Sequence, residues 1–148
     1  MDIQFNRALN LPQNPSKSLF LWGPRQTGKS SLLKKQYLNS IYIDFLQTNT
    51  YIKYLENPHL LREELQYQLD KSLLDKSQPI ILDEVQKTPV ILDEIHWLIE
   101  NLDLNFILCG SSARKLKRGQ ANLLGGRALR YELYGLCMHE LKHNFDLN

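Results

Sequence analysis

The chain reads as an α/β domain built around a parallel sheet. Segments with β pattern alternate with segments of helical pattern from end to end. Two of the β segments, Ile80-Ile81-Leu82-Asp83 and Phe106-Ile107-Leu108-Cys109-Gly110, are nearly continuous apolar runs, as strands covered on both faces are. The length of 148 residues suits one domain, and 43% hydrophobic with 23% charged residues is the balance of a globular chain.

The elements follow in order. Residues 1–17 are polar, contain Pro12 and Pro15, and read as a lead-in with one helical turn near Phe5 to Leu9. Ser18 to Trp22 is a first strand, followed by a Gly-rich turn and a helix from Lys29 to about Leu38. Ile41 to Phe45 alternates and is β-branched, which predicts a second strand. Thr50 to Leu55 and Leu60 to Leu74 are helical, with Leu61, Leu65, Leu69 and Leu73 forming one stripe. Pro79 opens a third strand, Ile80 to Leu82. Val90 to Asn101 is a helix with Ile91, Ile95, Leu98 and Ile99 on its apolar face, and Leu104 to Cys109 is a fourth strand. Short helices are expected over 111–118 and 120–125, a fifth strand over Ala128 to Tyr134, and a last helix from Met138 to Phe145. No repeat, linker or low-complexity tract interrupts this pattern.

Several classes are excluded as expectations. No apolar run approaches the roughly 18 residues of a membrane span, and no basic segment leads into an apolar one as in a signal peptide. Cys109 and Cys137 sit in apolar context and read as reduced core residues of a cytoplasmic protein. A net charge of +2 does not by itself imply nucleic acid.

Residues 23–30 read Gly-Pro-Arg-Gln-Thr-Gly-Lys-Ser, which satisfies G-x-x-x-x-G-K-[ST] in full. Gly23 and Gly28 let the backbone curl so that successive amides point at an anion. The helix starting at Lys29 adds the positive end of its dipole. Lys29 supplies a full charge for β/γ-phosphates, and the Ser30 hydroxyl suits a Mg2+ ligand. The expected cradle is therefore Gly23, Pro24, Arg25, Gln26, Thr27, Gly28, Lys29, Ser30 and Ser31.

Asp83 and Glu84 close an apolar strand. The carboxyl end of a parallel strand is where ligands bind in open α/β sheets. One strand-helix-strand unit after a phosphate loop, Asp83 is expected to hold Mg2+ and Glu84 to act as general base toward water. Ser111, just past the fourth strand, is either a hydroxyl near the γ-phosphate or an N-cap for the helix that follows. Between Ser111 and Tyr131 lie Arg114, Lys115, Lys117, Arg118, Arg127 and Arg130, with no acid. Arg127, beside Gly125-Gly126, is the candidate arginine finger in this stretch; a solvated face is the plain reading of the others. The absence of aromatic residues between Ser111 and Arg130 argues against a single-strand stacking platform.

His139-Glu140-Leu141-Lys142-His143 matches the H-E-x-x-H zinc signature. A catalytic zinc needs a third protein ligand. Only five residues follow His143, and Asp146 is the one acid among them. Zinc catalysis is set aside on that ground.

Three stretches together resemble one family. GPRQTGKS, LDEVQKTP (Leu82 to Pro89), and the pair ILCGSSARKL and LLGGRALRYELYGL are similar to prokaryotic AAA-like P-loop ATPases that commonly carry a C-terminal domain of unknown function. The resemblance runs from about Leu19 to Leu141. It implies a three-layer fold with a five-stranded parallel sheet in the order 5-1-4-3-2. It also implies ATP with Mg2+ as ligands, Lys29, Ser30, Asp83 and Glu84 as site residues, Ser111 as sensor and Arg127 as finger. Relatives in that family continue past the fifth strand. The expectation is thus one ATPase domain over 1–148, without the lid and C-terminal region. A homo-oligomer, a protein partner or the missing region would complete the site. Two alternatives stand beside an ATPase: a nucleotide-gated interaction module without turnover, and an ATPase associated with nucleic acid through the basic stretch.

Overall fold

The structure, a computed structural model, describes residues 9–111, 124 and 128–135. Ten elements occur among them: β1 (Ser18–Trp22), α1 (Lys29–Gln36), β2 (Tyr42–Asp44), α2 (Thr48–Glu56), α3 (His59–Asp70), β3 (Ile80–Asp83), a 3-10 turn (Val85–Lys87), α4 (Ile91–Leu102), β4 (Phe106–Gly110) and β5 (Ala128–Glu132). The five strands form one sheet in the order β2-β3-β4-β1-β5, every pair parallel. This is the expected order read from its other edge. The helices expected over 111–118, 120–125 and 138–145 lie outside the described residues, as do most of the turn near Phe5 to Leu9, Arg127, Cys137 and the His139–His143 motif.

Alternation along the strands divides the core into two layers. Ile80, Leu82, Phe106 and Leu108 face one way and pack with Phe45, Leu61, Leu65, Ile91, Ile95 and Leu98 from the α2, α3 and α4 side. Leu19, Leu21, Ile81, Ile107 and Cys109 face the other way, onto Leu33 and Tyr37 around α1. The central strands β3 and β4 are buried at every position, whereas β5, at the edge, is exposed or half-buried throughout. The apolar runs in the sequence are therefore the middle of the sheet. In α4, Asp93 and Glu94 occupy the first turn, where the helix dipole favours negative charge.

The α3 stripe ends before its fourth leucine. Leu61 and Leu65 are buried and Leu69 packs against the core, but Leu73 is 70% exposed. Helix α3 stops at Asp70 because Ser72 turns left-handed (φ 56°). The Leu73 amide then bonds back to the Gln68 carbonyl at 2.8 Å, a Schellman closure made without glycine. Helix α1 likewise stops at Gln36, and Leu38 is solvent-exposed.

Side chains of the body fasten the lead-in. Gln36 Nε2 donates to the Leu11 carbonyl (2.6 Å), Tyr37 Oη to that of Pro12 (2.6 Å), and Asn105 Nδ2 to that of Pro15 (2.9 Å). Burial, with Tyr131 adding, pushes the Tyr37 phenol up to about 12. A phenol ionises near pH 10 in the unfolded chain, so the unfolded state loses its proton first as pH rises. Tyr37 thus contributes stability below about pH 10 that disappears toward pH 12, on the order of 3 kcal/mol in all. Urea unfolding followed across that window is expected to show the loss, and Tyr37→Phe is expected to flatten it.

Candidate active site

All five strands point their carboxyl ends to one edge of the sheet, and the loops leaving β1, β3 and β4 meet there. Trp22 pairs with Gly110, and Asp83 lies level with Cys109, so these strand ends form one row. The loop after β1 begins at Gly23, whose amide donates to the Gly110 carbonyl (3.3 Å). A Cβ on Gly23 would stand 2.0 Å from the Leu133 carbonyl oxygen, because the chain leaving β5 crosses directly over it. Only glycine lets both chains pass. Gly28, at φ 86°, turns the loop into α1 as an N-cap without a side-chain bond, so no side chain of the cap occupies the first amides of the helix.

Lys29 is 5% exposed and folds back across the loop. Its Nζ donates to the carbonyls of Gly23 (2.7 Å) and Pro24 (2.8 Å), and Thr27 Oγ1 also donates to Pro24 (2.8 Å). The ammonium has three protons, so the loop is drawn around a centred positive charge with donor capacity left over. Pro24, Arg25 and Gln26 are exposed at the loop crest, and Ser31 is exposed on the first turn of α1.

Ser30 reaches across to β3, where its Oγ donates to Asp83 Oδ2 at 2.5 Å. Tyr42, from β2, donates its hydroxyl to the same oxygen. Burial raises the Tyr42 phenol, and the bond to Asp83 raises it further, so Tyr42 remains a proton donor. Cys109 is pushed up by burial first and then by the charge of Asp83, which keeps its thiol protonated and inert. Asp83 itself is 3% exposed, and its second oxygen, Oδ1, is buried without a hydrogen-bond partner. An unpartnered carboxylate oxygen beside a hydroxyl suits a hard divalent cation, which takes oxygen ligands. The fit of Ser30 and Asp83 to Mg2+ rests on this orphaned oxygen.

Glu84 follows in a left-handed conformation (φ 57°, ψ 41°), rare for a residue with a Cβ. The kink ends β3 and starts the 3-10 turn. Glu84 Oε2 accepts from the Gln86 side-chain amide and from Ser111 Oγ (3.3 Å). Of the two uses open to Ser111, the described contacts are these toward Glu84 and Gln86. Lys29, Ser30, Asp83, Glu84 and Ser111 therefore gather at one sheet edge. Sequence reasoning missed Tyr42 and Gln86; the first depends on β2–β3 register, and the second was visible only as part of the Asp-Glu-Val-Gln-Lys run. A shallow cavity of about 210 Å³ opens beside Tyr42, between Lys34 and Tyr54, but neither the phosphate loop nor Glu84 lines it.

A profile of the AAA domain matches residues 15–142, most of the chain. The chain belongs to the AAA domain family. As an AAA domain it has the P-loop ATPase fold, and solved structures agree. The Aeropyrum pernix ORC2 protein, in ADPNP and ADP complexes, matches at 13% identity over 86% of this chain and 44% of that one, with a TM-score of 0.54. The replication initiator DnaA bound to AMPPCP and single-stranded DNA matches at 19% identity over 92% and 48%, with a TM-score of 0.56. Drosophila ORC bound to DNA matches at 9% identity over 90% and 89%, with a TM-score of 0.52. At these identities the likeness is one of fold, and this AAA domain spans under half the length of the first two. No curated protein matches it. Among the described residues no helix is long and apolar enough to cross a membrane.

Gly110 makes the convergence possible. A Cβ there would lie 2.2 Å from Gln86 Oε1 and 2.6 Å from Trp22 Cζ3. Gly110→Ala is expected to cost about 1–3 kcal/mol through overpacking, read as a lower urea midpoint with an unchanged slope.

Proposed function

We propose that this AAA domain binds ATP with Mg2+ and hydrolyses it, acting as a single ATPase unit over 1–148 with residues 1–17 as lead-in. The observation that carries the reading is the Ser30–Asp83 hydrogen bond, which brings the end of the phosphate loop onto the end of β3 across 53 residues of chain. In this reading the loop amides and Lys29 hold the β/γ-phosphates, with Gly23, Pro24, Arg25, Gln26, Thr27, Gly28, Ser30 and Ser31 framing them. Ser30 and Asp83 would hold Mg2+, which when bound neutralises charge building on the phosphates. Glu84 takes a proton from the attacking water, and Ser111 stands beside it. The half-buried rim of the strand ends limits bulk water around these groups and strengthens their fields.

Arg127 is proposed as the arginine finger, serving either its own site or that of a second copy. The physiological target, whether a protein or a nucleic acid, is reached through whatever that assembly engages, and a cytoplasmic location is proposed from the sequence.

Calorimetry with Mg-ATP and phosphate release together test the reading. Lys29→Ala is expected to abolish binding. Glu84→Gln is expected to bind ATP and lose hydrolysis by about 10²–10⁴-fold, the usual contribution of a general base. Equal hydrolysis by Glu84→Gln and the unaltered chain would remove Glu84 from that role. Specific activity is expected to rise with protein concentration, and Arg127→Ala is expected to abolish the rise while ATP affinity stays the same. A flat concentration dependence would assign the site to one chain alone.

A further inference from the structure

Gln86 is a polar side chain in a place built for apolar ones. It lies on the 3-10 turn after β3, is 5% exposed, and projects against Gly110 and Trp22. Its amide nitrogen carries two protons. One goes to Glu84 Oε2 and the other to Ser111 Oγ at 3.1 Å, while the Ser111 hydroxyl donates to the same Glu84 oxygen at 3.3 Å. The three side chains close a triangle in which every proton has an acceptor.

The other end of the amide is not provided for. Gln86 Oε1 is buried and has no hydrogen-bond partner. Turning the amide over would set a carbonyl oxygen against the Glu84 carboxylate, so Glu84 dictates the orientation and leaves Oε1 unpaired. A methionine or leucine would fill the same space with no orphaned carbonyl. Buried unsatisfied groups of this kind call for a reason beyond packing. The room for the side chain is itself specific, since a Cβ at position 110 would collide with Oε1.

Both donors fall on one oxygen of Glu84. Its backbone is already fixed by the left-handed turn, so the two bonds set the remaining rotations of the side chain. We infer that Gln86 is a positioning residue for Glu84: its amide, steadied by Ser111, holds the carboxylate by Oε2 and leaves Oε1 to take the proton of the attacking water. As the proton passes to Oε1, the water oxygen bonds to the γ-phosphorus and the bridging oxygen leaves with ADP. The inference rests on the proposed role of Glu84 as base. A carboxylate held in one pose reacts faster than one that must find it, because the orientation is set before the step.

Gln86→Met keeps the length of the side chain and removes both donors. The test is single-turnover cleavage of γ-labelled Mg-ATP with protein in excess, beside ATP affinity by calorimetry. The expected result is a rate lowered roughly tenfold to a hundredfold with affinity unchanged. Gln86→Glu, of the same shape but with an acceptor facing an acceptor, is expected to fall at least as far. It serves as the second variant if the methionine chain does not fold. In a Glu84→Gln background, Gln86→Met is expected to change the residual rate no further, since it acts through Glu84 alone. Independently of turnover, the Gln86 side-chain NH2 resonances are expected to exchange slowly with solvent and to lose that protection in Glu84→Ala. Wild-type cleavage by Gln86→Met, with Glu84→Gln inactive, overturns the inference and leaves the base intact. Wild-type cleavage by Glu84→Gln overturns the base reading, and the inference with it. A Gln86→Met rate that falls only because ATP affinity falls makes Gln86 a packing residue and also overturns it.

Discussion

A carboxylate withdrawn from water at the end of a central strand sets the terms for everything around it. Asp83 is nearly fully buried, and a bare charge there is costly unless donors or a cation compensate it. Two hydroxyls arrive from different directions, Ser30 from α1 and Tyr42 from β2. Through them Asp83 ties the phosphate loop, the third strand and the outer strand to one atom. Both hydroxyls fall on Oδ2, and Oδ1 is buried without a protein donor.

Around this charge the remaining polar contacts are short-range consequences of where strands end. The Asp83–Cys109 and Trp22–Gly110 rows place the loops after β1, β3 and β4 side by side. Two of the four described non-glycine residues at positive φ, Gln26 and Glu84, lie there, beside Gly28. Such conformations persist where the surroundings over-determine them. Here the surroundings are the fully buried strands β3 and β4, so a rigid core carries a tightly turned rim.

Much of this was legible in the residues. Continuous apolar runs in Ile80–Asp83 and Phe106–Gly110 marked the middle of a parallel sheet because no polar face interrupts them. The phosphate loop was legible because the same eight positions carry both the turn chemistry and the charge. Family resemblance, rather than periodicity, supplied the strand order, since alternation says which residues face the core and not which strand lies beside which. The end of α3 was missed because Leu73 keeps the helical spacing while Ser72 leaves the helix, and a serine carries little signal for a left-handed turn. Tyr42 was hidden for a different reason. Its partner is 41 residues away, and the contact exists only in one register of β2 on β3.

The position of β1 also bears on how the chain is made. Leu19 pairs with Ile107 on one side and Leu129 on the other. Of the five described strands, the earliest made thus has as neighbours the two made last. At about 5–20 residues per second, it waits about 4–18 seconds for β4 and about 5–22 seconds for β5. During that interval Leu19 and Leu21, both fully buried in the finished sheet, have no strand beside them. The phosphate loop is held by Gly110 at the end of β4, and the chain leaving β5 crosses it, so it acquires its settled shape only once both strands have been made.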